Sequence, residues 1–543
     1  APMPVAIWNG VDSSVSPAKA TPYDNEAIFT GSATVVDGAG PGGKGKGIVN
    51  IYPGLCNKGD WPSCTTGTLL AMAVPANYEG DELLTNWSKP DFNPIIESTQ
   101  RDPSSAWKEA GTGEWRLRTY DSMVYGTASD EDFMAGKWYT IGKSTDFRTC
   151  ECPSFYPMPA ASPGTERAYA AAQDLPTHVH KTSCGGDWWQ LGTYTEGGLK
   201  ALGSFNATAG WEDLFTQRKI DMGHFYASKD NVYPTLDGGI RRINWGWATV
   251  PPASTQTLPR EVTFNAEVRM LQQFPIHEIE QLRGDVAYSD APVLSSGKPL
   301  QLRVSAGVVK ASEVEVVFQL GELGKTRLAL SFGDTGSSPT TLNRSMASTD
   351  LPGDDLSVEH NPSTDRDAAA AQCQKDCDAH SECKAWTYVV RGSPSGSGDC
   401  CLKSAVPCPR MHQGTCTSGV KSPSAPTGCG PKLTCTVDYA PPTNASAGFY
   451  ELQVACGGSK DVLRLTPTET ELRVRAYLDV TFAEVYFQQG RVAITEVVQL
   501  ADDSGVSIES EGADATVKSA TIFPMNSIWT TPEAVRKAAR VYH

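Results

Sequence analysis

No stretch of the 543 residues approaches the roughly 18 to 20 continuous apolar side chains that a helix needs to cross a bilayer, so no transmembrane segment is expected. Positive charge is also in deficit. Lys and Arg number 46 against 62 Asp and Glu, and the net charge of −16 leaves no basic stripe to neutralise phosphates, which argues against a nucleic-acid partner. Histidine is sparse, at eight residues. His178, His180 and His224 invite a metal reading, but a His-x-His pair on a strand lacks a third ligand motif. The cysteine spacings likewise lack the paired C-x-x-C knuckles of a zinc ribbon. No metal and no cofactor is therefore expected. Helical periodicity is scarce too.

What is present fits an ordered globular protein, with 40% hydrophobic and 20% charged residues in a chain long enough for two or three domains. Fifteen cysteines are unevenly placed: Cys56, Cys64, Cys150, Cys152 and Cys184, and then ten between Cys373 and Cys456. Such density points to an oxidising compartment. Asn86, Asn206, Asn343 and Asn444 each open an Asn-x-Ser/Thr sequon, so a secreted, extracellular or vacuolar glycoprotein is expected. The opening residues do not read as a signal peptide, and any targeting segment is taken as removed or omitted. The odd cysteine count leaves a thiol over, with Cys152 the candidate.

From Ala1 to about Arg260, short β-rich runs such as Gly47-Ile48-Val49-Asn50-Ile51-Tyr52 alternate with Gly, Pro, Asn and Asp clusters. That pattern indicates a sandwich, a barrel or a propeller. Period-two alternation, as in Val314-Glu315-Val316-Val317-Phe318 and Glu471-Leu472-Arg473-Val474-Arg475, marks a β-sandwich in two segments. Between them, residues 334–366 read as a Ser, Thr, Pro and Asp-rich linker. A helical stretch follows at Asp367–Cys377, then a strand near Cys383–Val389 and the pair Cys400-Cys401. The expected domains are 1–262, a propeller-type catalytic domain; 263–345 with 446–543, the sandwich; and 346–445, linker and Cys-rich insertion.

Two carboxylates stand out. Glu151 lies in Cys150-Glu151-Cys152-Pro153-Ser154-Phe155-Tyr156-Pro157, an apolar and aromatic setting expected to keep its proton on, as suits a general acid. Asp102 follows Arg101, whose charge favours the ionised carboxylate. A glycosidase needs carboxyls in those two states.

The order and spacing of these blocks resemble glycoside hydrolase family 32, the invertases and fructan-active enzymes. Ile28-Phe29-Thr30-Gly31-Ser32-Ala33-Thr34, Trp188-Trp189-Gln190-Leu191-Gly192-Thr193-Tyr194, Asp221–Lys229 and Arg241–Trp247 resemble further family blocks. The resemblance implies an all-β fold: a five-bladed propeller, its first blade incomplete, plus a C-terminal β-sandwich carrying a small disulfide-rich insertion similar to an apple or PAN module. It implies a retaining β-fructofuranosidase or fructosyltransferase acting on sucrose or fructans. Glu151 would be the general acid/base and Asp102 the transition-state stabiliser, with Arg101, Phe29, Ser32, Asp187 and Tyr194 binding substrate. The loop Cys184-Gly185-Gly186-Asp187 is shorter than in plant-type members, which puts the usual sucrose contacts in doubt. The family's Asn-Asp-Pro-Asn nucleophile motif has no counterpart. An N-terminal segment or partner chain outside this sequence is thus expected to complete the propeller and supply the attacking Asp. The competing expectation is a lapsed family member serving as a carbohydrate-binding or structural protein.

Overall fold

The computed structural model describes residues 6–62, 64, 68–81, 83–173, 175–207, 218–235, 239–251, 253–321, 323–333, 342–351, 355–363, 365–390, 397–406, 410–411, 415–424, 432–442, 448–500, 504–528 and 531–537. Four antiparallel sheets follow one another in its first half. Blade II contains Ser32–Asp37, Lys46–Leu55 and Thr68–Pro75, and blade III contains Trp107–Lys108, Trp115–Arg118, Met123–Thr127 and Tyr139–Lys143. Blade IV is built on Glu151–Pro157, His178–Ser183 and Asp187–Thr195, and blade V on Phe225–Pro234, Ile240–Ala248, Arg260–Asn265 and Met270–Pro275. A two-stranded ladder, Val11–Asp12 with Lys19–Ala20, precedes them.

Each blade forms for the reason visible in its alternation. In Lys46–Leu55, Val49 and Ile51 point inward while Asn50 between them is only half-buried, and both pack with Val36, Leu70 and Met72 in one core shared by blades II and III. A second core, including Val179, Leu191, Val262, Phe264 and Met270, joins blades IV and V. The leading strands line the axis: Asn231 Nδ2 of blade V donates to Ala33 O of blade II at 3.1 Å.

The β-sandwich packs a sheet containing Ala311–Gln319, Glu471–Asp479 and Ala515–Pro524 on one containing Thr326–Gly333, Lys432–Tyr439 and Gly505–Glu511. Its core takes Val314, Val316 and Phe318 at period two. It is fastened to the propeller by Arg260, fully buried, which donates to Asp221 at 2.9 Å, to Glu484 at 2.7 Å and to Thr495 at 3.0 Å. Gly223 lets the two bodies touch, because a Cβ there would lie 1.9 Å from Thr495 O.

The expected boundaries move. Residue 262 lies inside Arg260–Asn265, which pairs with Met270–Pro275 in blade V, so the propeller runs on to the 3-10 turn His277–Leu282. The sandwich resumes at Lys432–Tyr439 rather than at 446. Part of the expected linker is structured: Asp355–Asn361 is a strand of the insertion's own five-stranded sheet. Within that insertion the helix spans Arg366–Ala379, opened by Asp365, whose side chain accepts from the N–H groups of Asp367 and Ala368. Disulfides Cys373–Cys400 and Cys377–Cys383 tie the helix to the chain around it. No described helix is long and apolar enough to cross a membrane.

Candidate active site

Three left-handed residues adjoin Arg101, Glu151 and Tyr226 in the chain: Asp102 at φ 60°, Cys152 at 45° and Ala227 at 50°. Each costs about 1–3 kcal/mol for a residue with a Cβ, so the surrounding bonds must hold it there. Two of them coincide with β-bulges. Glu151 pairs with Ser183, but the next pair is Ser154 with Lys181, one residue out of step. Tyr226 pairs with Trp247 and the ladder resumes at Lys229 with Trp245. Bulges re-aim side chains off a sheet, and these two turn Glu151 and Tyr226 toward each other.

Tyr226 Oη donates to Glu151 Oε2 at 2.8 Å, and Arg101 Nη2 donates to Glu151 Oε1 at 2.5 Å. Burial, then the Glu151 hydrogen bond, raises the Tyr226 phenol, so it stays protonated and serves as a donor. For Arg101 burial pulls the other way, but its bond to Glu151 and the charge of Asp102 hold its pKa above the usual value. The guanidinium also sits 4.6 Å from the centre of the Tyr120 ring, which fixes its plane. Asp102 is buried, and its Oδ2 accepts from Cys152 N–H at 3.0 Å.

Beneath these groups runs a buried polar girder. Lys181 Nζ donates to Cys152 O at 3.2 Å, to Ser183 Oγ at 3.1 Å and to Ser228 O, and pairs with Asp187 Oδ2 at 3.0 Å. Asp187 Oδ2 in turn accepts from Ser228 N–H at 2.7 Å. Lys229 donates to Pro103 O at 2.9 Å, which Ser32 Oγ also reaches at 2.7 Å. Burial, with Lys181 nearby, lowers the pKa of Lys229. Burial raises that of the Cys152 thiol in spite of both lysines. Cys152 is free, as expected, and so are Cys401 and Cys416.

Arg101, Asp102 and Glu151 thus converge, with Ser32 one bond away through Pro103. The expected settings of four residues change. Glu151 is not in an apolar setting: the strand sends Phe155 into a cluster with Phe147, Trp107 and Phe205, and Tyr156 under Arg242, while Glu151 faces charge with its side chain 33% exposed. Arg101 pairs first with Glu151, and Asp102 is farther at 3.9 Å. Asp187 is fully buried on Lys181. Tyr194 meets Phe155 edge to face and donates to Glu109 at 2.6 Å. Phe29 is 43% exposed and is held through its backbone to Pro53. The reading from sequence missed Tyr226, Tyr120 and Lys229 as parts of the site. Tyr226 and Lys229 lie in a segment noted for its resemblance, but only the bulge shows which way they point.

The sequence matches the Glycosyl hydrolases family 32 N-terminal domain over residues 7–281, the Glycosyl hydrolases family 32 C terminal over 442–524 and a PAN domain over 349–403. It is 29% identical over 348 residues to beta-fructofuranosidase, insoluble isoenzyme 2, of Daucus carota, a match covering 59% of this chain and 54% of the relative. It is 28% identical over 355 residues to fructan 6-exohydrolase of Triticum aestivum, covering 58% and 55%. The chain therefore spans about half the length of the curated relatives it matches. The fold is similar to that of fructan 1-exohydrolase IIa from Cichorium intybus, with a TM-score of 0.55 at 18% identity over 94% of this chain and 86% of that one. For exo-inulinase from Aspergillus awamori the TM-score is 0.54 at 15% identity, over 94% and 87%.

Proposed function

The chain belongs to glycoside hydrolase family 32, and from that premise we propose that it transfers fructosyl units from sucrose or a fructan to water or to another sugar. The observation that carries this reading is the convergence of Glu151, Arg101 and Tyr226 above a buried Asp102. Glu151 donates a proton to the departing glycosidic oxygen and, once ionised, draws a proton from the incoming water. Arg101 and Tyr226 keep one carboxyl oxygen each, which leaves the group little freedom to turn away from that oxygen. Asp102 places a fixed negative charge beneath the sugar as its ring becomes cationic. In a retaining reaction a second carboxylate about 5–5.5 Å from the acid attacks the anomeric carbon. Asp102 and Asp187 both accept from backbone N–H groups, and we assign the attack to a further carboxylate.

The resemblance to insoluble plant isoenzymes, the described disulfides and the exposed sequon residues Asn86, Asn206 and Asn343 support an extracellular, N-glycosylated protein. Asn444 lies outside the described residues. The test is sugar release from sucrose, a β-2,1 fructan and a β-2,6 fructan by the wild-type protein and by Glu151→Gln. We expect turnover by the wild type and a loss of about 10²- to 10⁴-fold in the variant. Equal turnover by both would remove Glu151 from the mechanism, and none by either would overturn the reading.

A further inference from the structure

Glu151 stands at a weak point of its sheet. The bulge after it sets the Glu151–Ser183 pair one residue out of step with the ladder that resumes at Ser154–Lys181. A terminal pair has a ladder neighbour on one side only, so it frays more readily than the pairs inside the ladder. Yet this pair must hold still. Tyr226 Oη lies against both of its strands, 2.8 Å from Glu151 Oε2 and 3.4 Å from Ser183 O, and Asp102 is anchored one residue farther on, at Cys152 N–H. A slip at Glu151 would therefore loosen both carboxylates together.

The residues next outward are Cys150 and Cys184, and they are joined by a disulfide. With Glu151 opposite Ser183 in an antiparallel ladder, Cys150 and Cys184 face each other directly, so the bridge closes the end that the bulge left open. The Cys184 turn is itself braced: its N–H donates to Gly186 O at 2.8 Å, and Trp188 Nε1 donates to Cys184 O at 3.0 Å. Cys150 is buried, while Cys184 is partly exposed.

We propose that the Cys150–Cys184 disulfide is the positioning element that holds Glu151 and Asp102 in working geometry, so that the site is complete only in the oxidised protein; this rests on the glycosidase reading above. A water-soluble trialkylphosphine would open the bridge with one water. The phosphine takes the water oxygen and becomes its oxide, and the two sulfurs separate as thiols carrying the two hydrogens. Of the other described bridges, Cys373–Cys400, Cys377–Cys383 and Cys435–Cys456 are buried, and Cys56–Cys64 is removed by substitution.

The experiment uses the full-length protein carrying Cys56→Ser and Cys64→Ser, which serves as its own control for loss of a bridge elsewhere. To this are added Cys150→Ser and Cys184→Ser, or in parallel mild phosphine treatment of the folded protein, which supplies the measurement if the serine variant does not fold. Two quantities are read: kcat and KM on sucrose, and the rate at which an alkylating reagent labels Cys152, located by peptide mass spectrometry. Cys152 is buried and free, with its thiol pKa raised by burial, so it reacts only when the Glu151 strand end opens. Opening the bridge should lower kcat about 10- to 100-fold with little change in KM, and speed Cys152 labelling about tenfold or more. Reoxidation should restore both. Unchanged kcat and unchanged labelling would overturn the proposal. A wild-type protein without turnover would count against the glycosidase reading alone, and the labelling would still decide whether the bridge holds the strand.

Discussion

Replacing Lys181 by Met tests the girder beneath the site. The side chain is fully buried, its ammonium reaches Cys152 O, Ser183 Oγ and Ser228 O, and its charge is balanced by Asp187 at 3.0 Å, also fully buried. Met fills the same volume without the charge. It would leave the Asp187 carboxylate without its cation, a loss of about 3–5 kcal/mol when one partner of a buried pair is removed. At roughly 2–4 °C per kcal/mol for a domain of this size, the propeller transition should fall by about 6–20 °C in scanning calorimetry. Adding Asp187→Asn removes the stranded charge and keeps an oxygen for the Ser228 N–H, which Asp187 now accepts at 2.7 Å. The double variant should therefore recover half or more of the loss, a coupling that double-mutant analysis reads directly. A Lys181→Met protein destabilised by less than about 1 kcal/mol, or a double variant no better than the single, would refute the argument that this pair is held by mutual compensation.

Acid should weaken the fold through His178. Its ring is stacked at 4.9 Å on Phe155, and burial, only partly offset by Glu196, lowers its pKa from 6.5 to about 4. The unfolded chain takes up a proton near 6.5 and the folded one does not until about 4, so the contribution is complete above that range and is lost as pH falls through it. We expect up to about 2 kcal/mol once partial exposure is allowed for, seen as a smaller drop in denaturation midpoint between neutral and acid pH for His178→Phe than for wild type. An identical pH dependence of the two would remove His178 as the cause. Arg260→Met strands Asp221 and Glu484 at the junction of propeller and sandwich. It should cost about 3–5 kcal/mol and move the propeller and sandwich calorimetric transitions apart, and unchanged transitions would count against the junction as the coupling element. The short Cys184–Asp187 turn predicts weak selection for the glucose half of sucrose, so the ratio of activities on sucrose, β-2,1 and β-2,6 fructans should differ from that of plant invertases. Strict sucrose specificity would contradict it.

The strands of blade II and of the sandwich could be read from the sequence because their alternation is a local property: Val314, Val316 and Phe318 face inward wherever the sheet lies. Asp102 and Glu151 could be picked out as a pair from the resemblance, while the setting read for each from its sequence neighbours differs from the one it occupies. What the neighbours could not show is direction. Phe155 and Tyr156 adjoin Glu151 in sequence, but the pleat sends them to other cores, and a bulge set by the partner strand decides that Glu151 meets Arg101 and Tyr226. Asp187 reads as a loop acid beside the site, and only the close approach of Lys181 and Ser228 from two blades shows it as buried support. The boundary near 262 failed for a related reason. A strand that ends a blade and one that begins a sandwich share the same period, and pairing across Arg260–Asn265 and Met270–Pro275 alone tells them apart.

The Cys-rich module leaves the sandwich after Gly333 and returns to it at Lys432, and these two residues are paired neighbours on adjacent antiparallel strands. Topologically the whole module is the loop of a β-hairpin. The hairpin's register, from Thr326 with Tyr439 to Gly333 with Lys432, is closed by its own ladder and by the shared core, so it places no demand on what occupies the tip beyond two ends set one strand spacing apart. Such a junction works as a socket. The module can be lengthened, exchanged or reduced to a short turn while the sandwich and the Arg260 junction behind it keep their geometry.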